Sequence, residues 1–202
     1  MEYWNSLLTE KSWKILQEIR KKYNFVLIGG WAAYMWAKKQ KSKDIDIVVD
    51  ISELQKLKSE NLAKNDNLKK YEIKSDDLDI DIYVAHFSKL AIPPEDIENY
   101  SVKIEGFNVV SKEALLILKQ GAEIDRRNSV KGEKDRLDII SLLFSGINFR
   151  EYASILKKYS LTSYIQNLLD LVRAFQDYNS LAISPREFKL KKKSLIRQLR
   201  AV

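Results

Sequence analysis

Apolar and polar positions alternate along this chain in two regimes. Up to about residue 110 short apolar runs are broken by turn residues; beyond it a helical period of three to four residues takes over and continues to the C-terminus. In the first regime Trp4, Leu7, Leu8, Trp13, Ile15, Leu16 and Ile19 recur at helical spacing and predict a helix over 4–22. Phe25–Ile28 is an apolar run ending at Gly29-Gly30, as a buried strand would be, and the Ala- and aromatic-rich stretch 31–39 predicts a helix packed on it. Asp44–Val49 alternates acidic and apolar residues and reads as a two-faced strand. Ser52 is expected to open a polar helix fading near 65–67. Tyr71–Lys74 and Leu78–Val84 are further strands. Val102–Val110 forms a hairpin or broken strand turning at Gly106, after a loop at Pro93-Pro94. Ser111 is a suitable N-cap for a helix over 112–121, and further helices are expected near 132–145, 149–158, 161–178 and 185–200. The pattern predicts an α+β fold: residues 1–110 form an α/β domain with a mixed sheet and flanking helices, and 111–202 an all-helical domain.

Composition narrows the chemistry. At 202 residues, with 45% hydrophobic and 31% charged, the chain can bury a real core. Cysteine is absent and His86 is the single histidine. Disulfides, thiolate metal sites, His-rich zinc sites and a Ser-His-Asp triad are thereby excluded or disfavoured, and chemistry must run on carboxylates, cationic side chains and backbone amides. The longest uncharged apolar run, 25–37, falls short of the roughly 20 residues that span a bilayer. The start does not read as a signal peptide, so a cytoplasmic protein without membrane association is expected. The net charge of +7 favours polyanionic partners such as nucleotides or nucleic acid.

The candidate chemistry lies in two acidic strands. Residues two apart on a strand share a face, so Asp44 and Asp46 project side by side while Ile45, Ile47 and Val49 face the other way. Paired carboxylates repel unless a counter-charge is supplied, and hard oxygen donors suit Mg2+ or its substitute Mn2+. Asp79 and Asp81 repeat the pattern. If their strand lies beside the first, a third carboxylate joins the pair, and three carboxylates can hold two ions about 4 Å apart for in-line displacement at phosphorus. Gly29-Gly30 at a strand-to-helix turn would let backbone amides approach phosphate oxygens. Neither a G-x-x-x-x-G-K-[ST] loop nor a G-x-G-x-x-G fingerprint occurs.

Apolar strand, Gly29-Gly30, about a dozen residues, then Asp44-x-Asp46 with apolar neighbours resembles the DNA polymerase beta-type nucleotidyltransferase superfamily. Val110-Ser-Lys-Glu-Ala-Leu115, Lys119, Ala122, Arg126 and Lys134-Asp-Arg-Leu-Asp-Ile139 resemble its AbiEii-type, toxin-like branch. The resemblance covers about residues 25–145. It implies a nucleotidyltransferase-like fold and transfer of a nucleoside monophosphate from an NTP such as ATP to an acceptor hydroxyl. Asp44, Asp46 and Asp81 would be catalytic and metal-binding, with Asp79 the alternative third carboxylate. It further implies that Gly29, Gly30, Lys119 and Lys134 contact the nucleotide, and that Asp135 and Asp138 face the active site; Lys43, just before the acidic strand, is a further candidate phosphate contact. RNA, first of all the tRNA 3′ end, is the expected acceptor, with a small hydroxyl compound or a protein hydroxyl as alternatives, and an antitoxin or partner subunit is the implied protein partner. Two departures stand out: Gly30 replaces the serine of many members, and Lys41-Ser42-Lys43 replaces an arginine and threonine, without arginine's bidentate geometry. A catalytically inactive nucleotide- or RNA-binding module of the same fold is the competing reading; a purely structural helical partner leaves the acidic strands unexplained.

Other candidates have simpler readings. Trp31 and Trp36 are expected in the core, His86 in a loop or the core, Arg126 and Arg127 as solvated charges, and Lys134 with Asp138 as either a surface pair or active-site residues. The basic stretch 186–200 reads as an amphipathic helix, either solvated or facing RNA.

Overall fold

The computed structural model describes residues 6–75 and 78–201. The chain forms two compact units, one ending at Ser111 and the other beginning at Lys112.

The first unit is built on a mixed sheet. Helix α1 (Ser6–Lys22) leads to strand β1 (Val26–Ile28) and helix α2 (Gly29–Ala37), then β2 (Ile45–Val49), α3 (Ile51–Leu57), β3 (Ala63–Asn65), β4 (Lys70–Lys74) and β5 (Asp79–Val84). A short helix, α4 (Pro94–Ile97), precedes the hairpin β6 (Ser101–Ile104) and β7 (Phe107–Val110). Among the described residues the sheet has seven strands in the order β3-β4-β5-β2-β1-β7-β6. β2 runs antiparallel to β1 and parallel to β5, and β1 runs parallel to β7.

The core follows from the alternation. Ile45, Ile47, Ile80, Ile82 and Val84 are buried on one face of the sheet. Removing each such side chain from water stabilises the fold by roughly 1.5–3 kcal/mol. α2 is apolar nearly all round, as a helix enclosed by protein must be. Its Trp31 is 1% exposed, stacks obliquely on Trp13 at 5.0 Å, and donates its indole N–H to Ser12 Oγ at 2.8 Å. That bond satisfies the one polar atom the ring carries into the core and ties α2 to α1. Trp36, half-buried, donates to the Val110 carbonyl at 2.9 Å. The β6–β7 turn is made by Glu105 and Gly106, both at positive φ, as a two-residue hairpin of this hand requires.

The described part of helix α1 starts at Ser6, and Trp4, expected in the same helix, lies outside the described residues. Several other boundaries depart from the expected ones. Helix α2 begins at Gly29, so both glycines lie within its first turn. Asp50, not Ser52, caps α3: its carboxylate accepts from the Glu53 amide at 2.7 Å and from Ser52 Oγ at 2.8 Å. That helix ends at Leu57, and Ala63–Asn65, expected as its fading end, pairs instead with β4 as an edge strand. Asn61 at positive φ turns the chain between the two. Pro93-Pro94 leads directly into α4, with Pro94 at the helix start, where a missing N–H costs nothing.

The second unit consists of α5 (Lys112–Arg126), α6 (Val130–Phe144), α7 (Phe149–Lys158), α8 (Ser163–Ala174) and α9 (Pro185–Leu199). Its core is drawn from Leu115, Leu116, Ile139, Leu142, Tyr152, Leu156 and Leu168. Ser129, Asn148 and Ser184 cap α6, α7 and α9 through their side chains. In the basic α9, Phe188, Leu195 and Leu199 are buried, and Lys192 donates to the carbonyls of Arg173 and Phe175, closing the end of α8. No helix among the described residues is long and apolar enough to cross a membrane.

Candidate active site

The two acidic strands are neighbours. β2 and β5 run parallel with Asp46 opposite Asp81 and Ile45 opposite Ile80. Asp44 immediately precedes β2, and its Oδ1 accepts from the Asp79 amide at 3.5 Å. Because both strands alternate in phase, Asp44, Asp46, Asp79 and Asp81 all rise from one face of the sheet. Asp81 is 8% exposed; the other three are half-buried.

β1 aligns Ile28 with Asp46 on the opposite side of β2, so the chain enters α2 beside the Asp46 side chain. Gly29 has φ +66°, and a Cβ there would collide with the Asp46 carboxylate and come within 2.6 Å of its Cβ. The glycine thus makes room for a carboxylate of the same chain. α2 starts with no side-chain cap, so its first amides point, with the positive end of the helix dipole, toward that region. Gly30 follows, buried, in the same turn. Lys43 is half-buried in the loop before β2, and Ser42 beside it is 5% exposed.

A further acid belongs to the same row. β4 pairs with β5 so that Glu72 lies opposite Asp81, which sets Asp46, Asp81 and Glu72 on consecutive strands about 4.8 Å apart. Lys70, two residues before Glu72 on that face, bridges Asp81 Oδ2 at 2.6 Å and Glu72 Oε1 at 3.0 Å. Lys74 contacts Glu72 Oε2 at 3.0 Å, and Asn65 donates to Oε1 at 3.0 Å. Burial alone would push the Glu72 carboxyl up; the bonds from Lys74, Lys70 and Asn65 outweigh it and hold the carboxyl at about 2. Burial likewise opposes the Lys70 ammonium, but the Asp81 and Glu72 carboxylates prevail and raise its pKa above the ordinary lysine value. Sequence reasoning passed over both residues. The signal was present, since Lys70-Tyr-Glu-Ile-Lys74 alternates charged and apolar positions as the Asp-x-Asp strands do.

Among the described residues no three His, Cys, Asp or Glu side chains are grouped closely enough to hold a metal ion by themselves. Asp44 and Asp46 nevertheless offer paired hard oxygens on one face. Magnesium is commonly held by one or two carboxylates while substrate phosphates complete its shell. Donor type and number therefore fit a cation shared with a triphosphate.

In the helical unit Lys119 of α5 and Lys134 of α6 join Asp135 and Asp138 in a buried cluster. Lys119 Nζ contacts Asp135 Oδ1 at 3.1 Å and Asp138 Oδ2 at 2.7 Å, and Lys134 Nζ reaches the same Asp138 oxygen at 3.1 Å. Arg126 closes the cluster on Asp135 Oδ2 at 2.7 Å. Burial would raise the Asp135 pKa, but the Lys119 and Arg126 charges overcome it and lower it. Lys134 and Asp138 are 6% and 2% exposed, so they are not a surface pair. Arg126 and Arg127 are exposed, as expected of solvated charges, and are also ion-paired, the latter with Glu123 at 3.2 Å. His86 lies exposed in a loop at positive φ, with Nδ1 3.4 Å from Glu95.

The sheet order, the helix behind the glycine pair and the parallel acidic strands define a nucleotidyltransferase-like fold. Two solved structures share it along nearly the whole chain. One is of a proposed nucleotidyltransferase from H. pylori, with TM-score 0.51 and 19% identity over 96% of this chain and 94% of the other. The second is JHP933 from Helicobacter pylori, with TM-score 0.51 and 18% identity over the same shares. At this identity the likeness speaks for the fold. No protein-family model matches the chain, and no curated protein matches it.

Proposed function

We propose that the chain is a divalent-cation-dependent nucleotidyltransferase that moves a nucleoside monophosphate from an NTP to an acceptor hydroxyl. The observation carrying this reading is the seat of Asp46: its carboxylate lies against the Cα of Gly29 at the start of α2, beside Asp81 on the next strand. Nucleotidyl transfer needs that combination of a phosphate-facing helix start and a carboxylate face beside it.

In this reading Asp44 and Asp46 hold a Mg2+ or Mn2+ ion, which when bound offsets charge on the triphosphate and on the departing pyrophosphate. The first amides of α2, at Gly29 and Gly30, face phosphate oxygens, and Lys43 adds a positive charge from the loop before β2. Asp81 takes the proton of the acceptor hydroxyl. It is preferred to Asp79 because it stands directly opposite Asp46. The hydroxyl oxygen bonds to the α-phosphorus, the bond from that phosphorus to the bridging oxygen breaks, and pyrophosphate leaves.

The finer assignment is to the AbiEii-type branch, supported by Lys119 and the Lys134-to-Asp138 segment, whose side chains meet in one cluster. Lys119 and Lys134 are the proposed triphosphate contacts of the helical unit. RNA, in the first instance a tRNA 3′ end, is the proposed acceptor, in keeping with the +7 net charge. An antitoxin or partner subunit is the proposed partner.

Incubating the full chain with α-labelled NTPs, Mg2+ and total RNA tests the reading. Label is expected in RNA, with a loss of at least about 100-fold in Asp46→Asn at unchanged tryptophan fluorescence. Transfer that survives Asp46→Asn overturns the mechanism. The ammonium of Lys70 on Asp81 favours one second reading, a binding module that no longer performs chemistry. Thermal stabilisation by RNA without metal dependence would support that module, and stabilisation by NTP only with Mg2+ the enzyme.

A further inference from the structure

The acidic face is compensated unevenly. Across β2, β5 and β4 the row runs Asp46, Asp81, Glu72, and the lysines that enter it, Lys70 and Lys74, come from the β4 side. Lys74 is 64% exposed, whereas the Lys70 side chain is only 12% exposed and lies between two carboxylates. Glu72 is itself held by three donors, Lys70, Lys74 and Asn65. A carboxylate clamped this way fixes the ammonium it shares, and that ammonium sits closer to Asp81, at 2.6 Å, than to Glu72, at 3.0 Å. Glu72 thus aims Lys70 at the carboxylate assigned to the acceptor hydroxyl.

We propose that Lys70 is a positioning residue that serves as a fixed counter-cation for Asp81, so that the acidic face takes a single divalent cation, at Asp44 and Asp46, instead of two. The inference rests on the nucleotidyl-transfer reading and deepens it. A second divalent ion on Asp81 would have to share that carboxylate with the ammonium already on Oδ2, and would stand a few ångströms from a like charge in a partly desolvated place. A lysine also differs from a bound ion in being permanent: it keeps Asp81 paired and oriented whether or not nucleotide is present.

The test counts Mn2+ bound to the full chain in the presence of a saturating non-hydrolysable NTP, whose phosphates complete the ion's shell, by equilibrium dialysis that sets bound metal against bound nucleotide. Wild type and Lys70→Arg are expected to bind one Mn2+ per chain. Lys70→Met strands two buried carboxylates and can unfold, so the decisive variant is Lys70→Met/Glu72→Gln, which removes one acid with the lysine. It is expected to bind two ions, the second at least tenfold tighter than any second ion on wild type. Adding Asp81→Asn should return the count to one. Two ions on wild type, or one on the double variant, overturn the inference; a purely structural Lys70 gives the latter, with a lowered melting temperature and no new site. Absence of Mn2+ from every protein removes the nucleotidyl-transfer reading and this inference with it, whereas two ions on all of them removes the inference alone.

Discussion

Gly29→Ala is the sharpest probe of how this fold places its acids. The substitution adds one methyl group at a residue whose φ is +66°, where a side chain costs about 1–2 kcal/mol by itself. That methyl would also overlap the Asp46 carboxylate and come within 2.6 Å of the Asp46 Cβ, so Asp46 or the start of α2 must shift. Forcing an extra carbon into such a contact adds about 1–3 kcal/mol. The first unit should therefore lose about 2–5 kcal/mol in total. Tryptophan fluorescence in a urea titration reads this unit selectively, because all four tryptophans lie between positions 4 and 36. A double-mutant cycle with Asp46→Gly separates the two contributions. In that background only the backbone penalty should persist, leaving a coupling of about 1–3 kcal/mol between the sites. Nucleotidyl transfer should fall with the displacement of Asp46, even under conditions where the variant is fully folded. If Gly29→Ala changes stability by less than about 0.5 kcal/mol, or if the cycle shows no coupling, Asp46 does not sit where this account puts it.

Two further outcomes follow from buried charges. Glu72 has its pKa depressed from 4.5 to about 2, so its contribution to stability is complete above pH 4.5 and is lost as the pH falls toward 2. Wild type should lose more stability across that window than Glu72→Gln, by up to about 3 kcal/mol, and parallel profiles would refute the assignment. Asp135→Ala leaves Lys119 and Arg126 without a shared acceptor in the helical unit and should cost about 3–5 kcal/mol, read by far-UV circular dichroism; an unchanged melting temperature would count against the cluster.

Much of the fold was legible because it is written in local periods. Asp44-Ile-Asp-Ile-Val-Val49 can bury one face only by exposing the acids together on the other, so their shared face follows from the two-residue repeat alone. The five helices after residue 111 are equally local, since each carries its own apolar stripe and three carry a Ser or Asn side-chain cap. The same information could not say which strand lies beside which. That Asp46 stands opposite Asp81, 35 positions along the chain, depends on the parallel pairing of β2 with β5, a non-local register. The edge strand β3 was missed for a related reason: three residues of weak propensity become a strand only because β4 offers them hydrogen bonds.

By itself, then, the sequence determined the acidic face, the glycine pair and the change from sheet to helices, because each is a property of a few adjacent residues. Tertiary structure alone decided what Gly29 is for, since the carboxylate it accommodates arrives from another strand. It likewise decided that Lys70 and Glu72 join the acidic row. Electrostatic partnership depends on distance through space, and only the assembled sheet brings a lysine from β4 within 2.6 Å of an aspartate on β5.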